Sequence, residues 1–413
     1  MVGKTMKQTT VPDGCERSTG DLKKGNRSLK RLIPLALVVP MAVAACGSSS
    51  SSKTTSPTSA ATSGSAATSG TPAASSGGST NLNLGNPSSP ATLNESGSTL
   101  LYPFLQELVS PLHAKYSNVT LAPGPGGSGK GISDAIAGTT QFGGSDDYLS
   151  TSQASSNPGL LNIPIAISSQ AINYNLPGIS NLKLTGDIIA QIYQGKITKW
   201  NDSAIAAVNP GVNLPSENIV PVRRVDASGD TFIFTSFLSA TNPAWNNGPQ
   251  FGTSVTWPAV SNELTANGNP GMVQTCHATP GCIAYIGISS EDEAKSAGLG
   301  EVDLQNKAGN YVQPDASTVG SAVSAGATSI PASLAAPIIY EPGAQSYPIV
   351  NFEYIIVKNK QANSDTAMAI RDFLAFAIDP SGGSTPAYLA KEHFVGLPAS
   401  VIPQVQKAIA SIS

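Results

Sequence analysis

Residues 47–91 are built almost entirely from Ser, Thr, Ala, Gly, Pro and Asn, with Lys53 as their only charge and no aromatic residue. Such a stretch cannot bury enough apolar surface to offset the entropy lost on ordering it. It predicts a disordered leash over 46–91, reaching roughly 35–40 Å r.m.s., with a glycosylated stalk as the alternative. Any core must therefore come from the roughly 320 residues that follow, more than one sheet usually organises.

The segment before the leash reads as an export signal over 1–45. Lys23, Lys24, Arg27, Lys30 and Arg31 form a basic stretch, and a mostly apolar run follows from Leu32 to Ala45. The run is short for a bilayer span and contains Pro34 and Pro40. Its end, Val43-Ala44-Ala45-Cys46-Gly47, resembles the bacterial lipobox, in which cleavage precedes a cysteine that then carries diacylglycerol. Cys46 is thus the expected lipidation site, and acyl chains would anchor the protein without a spanning helix. A plain signal peptide with an incidental cysteine is the competing reading. Cys15 would leave with the signal, and the polar stretch before Lys23 is compatible with a start downstream of Met1.

Charge excludes some partners. The 413 residues carry 23 basic and 26 acidic side chains, a net charge of −3. A field that weak points to neither nucleic acid nor an anionic membrane surface.

From Ala91 onward, apolar runs of two periods alternate. Strands are expected at Val119–Leu121, Leu161–Ile167, Asn218–Val222, Ile283–Ile286 and Ile349–Val357, and helices at Gly131–Ala137, Asp187–Tyr193, Thr231–Leu238 and Ala367–Ile378. Alternating strands and helices imply an α/β fold with substantially parallel sheets, and the length implies two lobes. Cys276 and Cys282 flank a Pro280-Gly281 turn that brings them close. In an exported chain a disulfide is the favoured reading. Zinc competes, with His277 adjacent, but too few further ligands stand nearby.

Three segments carry the chemistry. The first, Glu95-Ser96-Gly97-Ser98-Thr99-Leu100-Leu101-Tyr102-Pro103, is a helix start, whose free amides and dipole suit an anion. A plain N-cap reads equally well. The second, Gly124-Pro125-Gly126-Gly127-Ser128-Gly129-Lys130-Gly131, nearly matches the nucleotide P-loop. Gly131 replaces the hydroxyl that would bind Mg²⁺, and ATP is scarce outside a cell, so only the amide cradle for a tetrahedral anion survives. Its bland alternative is a connecting loop. The third, Arg223-Arg224-Val225-Asp226-Ala227-Ser228-Gly229-Asp230-Thr231-Phe232, offers a guanidinium fork in Arg224. Asp226 can hold that fork, and Ser228 and Gly229 open a helix. A surface Arg–Asp pair is the plain reading here. Asp146, in Gly144-Ser145-Asp146, reads as a turn residue, a metal ligand or a base.

In this order, and together with Ile192-Tyr193-Gln194-Gly195-Lys196-Ile197, Trp200-Asn201-Asp202 and Pro280-Gly281-Cys282-Ile283-Ala284-Tyr285-Ile286-Gly287, these segments resemble the phosphate-binding proteins of Pst-type ABC importers. The likeness runs from about Leu93 to Ser413 and is nearest to the lipoprotein forms of mycobacteria and other actinobacteria. It implies a two-lobed periplasmic-binding-protein-like fold of type II with the ligand in the interlobe cleft. Lobe 1 would comprise 92–167 plus 346–413, and lobe 2 would comprise 168–345. By matching motifs, Thr99, Leu100 and Ser128 would donate to phosphate, and Asp146 would accept its hydroxyl. Arg224 would make the direct ionic contact, and Ser228 and Gly229 would complete the cage. Asp230 stands where enteric members carry threonine, and could take a second phosphate proton; Leu100 stands where they carry phenylalanine.

The implied function is extracytoplasmic capture of inorganic phosphate and delivery to the permease and ATPase subunits of an ABC importer, with no cofactor, metal or nucleic acid. A secreted phosphoesterase or a phosphate-sensing surface lipoprotein are the alternatives. Against an enzyme, no G-x-S-x-G nucleophile motif occurs, and His113, His277 and His393 lie outside the three segments.

Overall fold

A computed structural model describes residues 80–327 and 330–413; the signal, Cys46 and most of the leash lie outside the described residues. The principal strands are β1 (Ala91–Gly97), β2 (Val119–Ala122), β3 (Phe142–Ser145), β4 (Leu160–Tyr174), β5 (Val220–Arg224), β6 (Leu264–Ala266), β7 (Cys282–Gly287) and β8 (Ile349–Lys358). The principal helices are α1 (Tyr102–Lys115), α2 (Ser128–Ala137), α3 (Gly186–Tyr193), α4 (Gly229–Thr241), α5 (Gly268–His277) and α6 (Ser364–Ile378).

The strands join edge to edge in the order β2-β1-β3-β8-β4-β7-β5-β6. One wing, β2-β1-β3, is parallel, and so is the other, β7-β5-β6. Between them run the two longest strands, β4 and β8, antiparallel to each other and to their outer neighbours. β4 changes partner along its length. Leu160–Ser169 pair with β8, and Gln170–Tyr174 pair with β7. The chain is thereby two-lobed, with the parallel character in the wings and the antiparallel pairs where they join.

Burial on both faces explains the joining strands. β4 has only Leu160 and Leu161 short of full burial, and β8 only Lys358. Continuous apolar runs fit strands covered on both sides. β1 instead alternates over its first half, with Thr92 and Asn94 outward and Leu93 inward. Around the first wing, Phe142 and Phe373 of α6 stack at 5.0 Å and 4° between planes, both fully buried.

The expected elements are present, with shifted ends. α2 begins at Ser128 rather than Gly131, because Gly127 takes the φ of +86° that turns the loop into the helix. The strand expected at Asn218–Val222 is Val220–Arg224. The strand expected to stop at Ile167 runs on to Tyr174, through Ser168, Ser169 and Gln170, whose polarity masked it. The leash expected over 46–91 meets the folded part before its end. Gly85 N–H donates to Asp372 Oδ1 at 3.0 Å, Ser88 N–H to Asp365 Oδ1 at 2.9 Å, and Pro87 is buried. Two carboxylates of α6 hold the backbone there, which composition alone could not reveal.

The sulfurs of Cys276 and Cys282 are 2.08 Å apart and their Cα atoms 5.3 Å apart, closing a tight loop between α5 and β7. Removal of the stacked ring in Phe373→Ala should cost about 3–5 kcal/mol, read as a lower urea midpoint at unchanged slope. A midpoint equal to that of the wild type would show that this stack is not part of the core.

Candidate functional site

The parallel strands of both wings end at the same place, and a helix starts just beyond each end. β1 leads into α1 through Ser98-Thr99-Leu100-Leu101. The Ser98 hydroxyl accepts from the amides of Leu100 and Leu101, both at 3.0 Å, which satisfies two of the donors a helix start leaves open. Thr99 Oγ1 accepts from the backbone amide of Asn269, at the start of α5 in the other wing, at 3.2 Å. The glycine-rich turn before α2 also touches the opposite wing, where Gly129 N–H donates to Ala227 O at 2.9 Å.

β3 leads directly into Asp146, which is buried against α2 and α4. Ser128 Oγ donates to Asp146 Oδ2 at 3.2 Å and accepts from the Asp146 amide at 3.1 Å. The start of α4 comes closer still. A Cβ on Gly229 would lie 2.4 Å from both Asp146 Oδ2 and Ser128 Oγ, so only glycine lets this backbone approach.

β5 ends in Arg224, whose side chain is 1% exposed. Its guanidinium donates through Nε to Asp226 Oδ1 at 2.8 Å, through Nη2 to Asp226 Oδ2, and through Nη1 to Asp230 Oδ2 at 2.7 Å. Three of the five N–H donors are thus engaged, and two remain. Asp230 is itself held on both oxygens. Asn269 Nδ2 donates to Oδ2 at 2.9 Å and Gln170 Nε2 to Oδ1 at 3.1 Å.

The residues expected from sequence therefore come together. Thr99, Ser128, Asp146, Arg224, Ser228, Gly229 and Asp230 meet between the wings, and Asp226 accepts from Arg224. The Leu100 amide lies there too, but is turned onto Ser98 Oγ, while its carbonyl accepts from Ser289 Oγ at 2.8 Å. Ser228 Oγ and Asp146 Oδ1 are buried without a partner among the described residues. Buried polar atoms are nearly always paired, so the Ser228 hydroxyl, at the start of α4, marks where a ligand fits.

Sequence reasoning did not single out Glu95, Gln170, Asn269 or Glu353 as members of the site. Glu95 accepts from Gly124 N–H at 3.1 Å and Gly144 N–H at 2.9 Å, tying the glycine turn to β3. Glu353 lies within hydrogen-bonding reach of Asp146. The signal for it was legible as the one acid inside an apolar strand. Gln170 and Asn269 gave none, since their role arises from packing against residues distant in sequence, Asp230 for both and also Thr99 and Gly287 for Asn269.

Electrostatics follow from burial. Desolvation raises Asp146 above the ordinary carboxylate range, against the pull first of Glu353 and then of Ser98, Arg224 and Ser128. Burial and then the charge of Asp146 push Asp230 up, with Arg224 opposing. Burial lifts Glu95 to about 7 and Asp147 to about 8. Arg224 is disfavoured by its own burial, but Asp226 and Asp230 outweigh this and hold it protonated. No group of His, Cys, Asp or Glu suited to a metal ion occurs among the described residues.

Residues 55–381 match the family model described as a PBP superfamily domain. The chain is 33% identical over 338 residues to phosphate-binding protein PstS of Methanocaldococcus jannaschii, covering 76% of this chain and 85% of the relative. It is 32% identical over 333 residues to phosphate-binding protein PstS3 of Mycobacterium bovis, covering 78% and 87%. In fold it resembles the high-affinity periplasmic phosphate-binding protein PfluDING, solved with phosphate, at a TM-score of 0.62 and 22% identity over 77% of this chain and 93% of the other. The ancestral soluble variant of the human phosphate binding protein gives a TM-score of 0.60 at 20% identity, over 77% and 93%.

Gly229→Ala should force the start of α4 away from Asp146. The Gly129 amide, bonded to Ala227 O across the gap, should then exchange its hydrogen at least about tenfold faster. Unaltered protection would show that the close approach is not what holds the wings together.

Proposed function

Because the chain belongs to the PBP superfamily, and within it to the phosphate-binding proteins named PstS, we propose that the cage around Asp146 and Arg224 is its phosphate site. The protein is a binding protein and not an enzyme. It captures inorganic phosphate and supplies an ABC importer. One observation carries the assignment of the site: a wholly buried carboxylate, Asp146, stands beside two helix starts, Ser128 and Gly229, and within electrostatic reach of a single guanidinium, Arg224.

In this reading Thr99, Ser128, Ser228 and Gly229 donate to phosphate oxygens, Arg224 supplies its two remaining N–H groups, and Leu100 joins when its amide leaves Ser98. Asp146 accepts the P–OH proton. Asp230 belongs to the site as the residue that aims the guanidinium, since protein donors already engage both its oxygens. A carboxylate facing sulfate would meet a bare oxyanion, both desolvated and like-charged. Sites built around a required hydrogen bond reject a ligand lacking it by roughly 10⁴–10⁵-fold.

The lobe limits, 92–167 with 346–413 and 168–345, are supported by the change of partner along β4 at Ser169 and Gln170. Closure by hinge motion would bring the wings to the contacts that Gly129, Thr99 and Ser289 make across the gap. The lipobox at Cys46 supports an extracytoplasmic, lipid-anchored location, with permease and ATPase subunits as partners. Export supports a disulfide between Cys276 and Cys282.

Calorimetric titration of the purified protein should give binding with phosphate and none with sulfate. Asp146→Asn should weaken the phosphate-over-sulfate ratio more than it weakens phosphate binding itself. Selectivity that survives the substitution would remove Asp146 from this role. Replacement of both Cys276 and Cys282 by Ala should lower stability by about 2 kcal/mol, as expected for so short a loop. Denaturant midpoints with and without reductant check this, and identical midpoints would exclude the disulfide.

A further inference from the structure

The phosphate reading leaves one acid without a task. Glu353 is fully buried in β8 among Phe352, Tyr354, Ile355 and Ile356. β8 pairs with β3 so that Tyr354 faces Ser145; one step on in this antiparallel register sets Glu353 across from Asp146. On its other edge β8 meets β4 with an irregularity at Glu353. Glu353 faces Ala166 and Tyr354 faces Pro164, so Ile165 is an extra residue. A bulge of this kind re-aims the side chains beside it.

Ser168 Oγ donates to Glu353 Oε1 at 2.5 Å. Glu353 Oε2 is buried without a partner among the described residues, and so is Asp146 Oδ1. The two carboxyl groups are nevertheless within hydrogen-bonding reach of each other. Two adjacent carboxylates in a dry site repel, and they bond only when one carries a proton. The surrounding groups favour that proton. Asp146 and Asp147 follow β3 and Asp230 opens α4, all acids, while the nearby cation among the described residues, Arg224 of β5, already donates to Asp226 and Asp230. Burial and then the charge of Asp146 hold Glu353 well above the ordinary carboxylate range.

We propose that Glu353 is a positioning residue of the phosphate site: its Oε2–H donates to Asp146 Oδ1 and leaves Asp146 Oδ2, beside Gly229 and Ser128, as the acceptor for the ligand's P–OH. The shared proton fixes the rotation of the Asp146 carboxylate and spreads its charge away from the ligand. It thereby keeps Asp146 a pure acceptor, which is what distinguishes a protonated from a bare oxyanion. This inference rests on the reading of the cage as a phosphate site.

The test compares the whole protein with Glu353→Gln and Glu353→Leu, by phosphate calorimetry and by infrared difference spectroscopy. The wild-type-minus-Gln spectrum should contain the carbonyl stretch of a neutral carboxylic acid at pH 7, where a free glutamate, of pKa about 4.3, is ionised. The Leu variant should bind phosphate about ten- to a hundredfold more weakly, because Asp146 Oδ1 is left unpaired. The Gln variant, whose N–H can donate to the same oxygen, should recover most of that loss. Absence of the neutral-acid band, or its loss on raising the pH through the ordinary glutamate range, overturns the proposal. So does a Leu variant that binds as the wild type does. The infrared arm stands even if the Leu variant does not fold. A wild type that binds no phosphate overturns the reading of the site itself, whereas a wild type that binds with no neutral-acid band overturns the role of Glu353 alone.

Discussion

The site depends on one guanidinium held between two carboxylates. Arg224 is buried, and a buried charge persists only when it is paired and hydrogen-bonded. Asp226 takes its Nε and Nη2 edge and Asp230 takes Nη1, so the fork is fixed before any ligand arrives. Asp146 and Glu353 stand nearby, so acids outnumber cations. Such a cage is a poor host for a fully ionised oxyanion. It suits an anion that brings protons of its own, because each proton converts a repulsive contact with a carboxylate into a hydrogen bond. The remaining oxygens of such an anion would be left to neutral donors, the helix-start amides and the hydroxyls of Ser128 and Ser228. Neutral donors cost less to desolvate than charges and do not attract every passing anion equally.

The fold makes that arrangement cheap to build. In open sheets with parallel strands, ligands bind beyond the carboxyl ends of the strands, where the connecting helices begin. β1, β3 and β5 end in Gly97, Ser145 and Arg224, and α1, α2 and α4 start within a few residues of the site. Two parallel wings joined by antiparallel β4 and β8 turn this rule on itself, because the ends of both wings face one another. Glycine is required at the contacts. Gly127 sits at a φ of +86° against Asp226, and Gly229 presses on Asp146 and Ser128. A side chain at either position would separate groups that must meet.

Much of this was readable from the chain. The three segments were recognisable because helix starts, glycine turns and an Arg-x-Asp pair are local features. Their local chemistry survives in the structure, with Ser98 capping α1 and Asp226 holding Arg224. What could not be read was created by pairing across the sheet. Ser168, Ser169 and Gln170 look like the end of a strand, yet they are its centre, where β4 changes partners. Gln170 and Asn269 matter because distant elements pack against them: both bond Asp230, and Asn269 also bonds Thr99 and Gly287. The leash looked uniform up to residue 91, but Asp365 and Asp372 of α6, far along the chain, capture its last residues.

β8 unites the two themes. It is one of the strands that join the wings, and so part of whatever bends when they separate. It also carries Glu353 opposite Asp146. Asn351, two residues earlier, donates to the Asp146 carbonyl. In the proposed site, the carboxylate assigned to the ligand's proton would therefore be braced, through its main chain by Asn351 and through its side chain by Glu353, by a joining strand and not by a loop. A carboxylate braced in this way would not swing to accommodate a ligand without a proton, so on this proposal discrimination and the join between the wings would share one structural element.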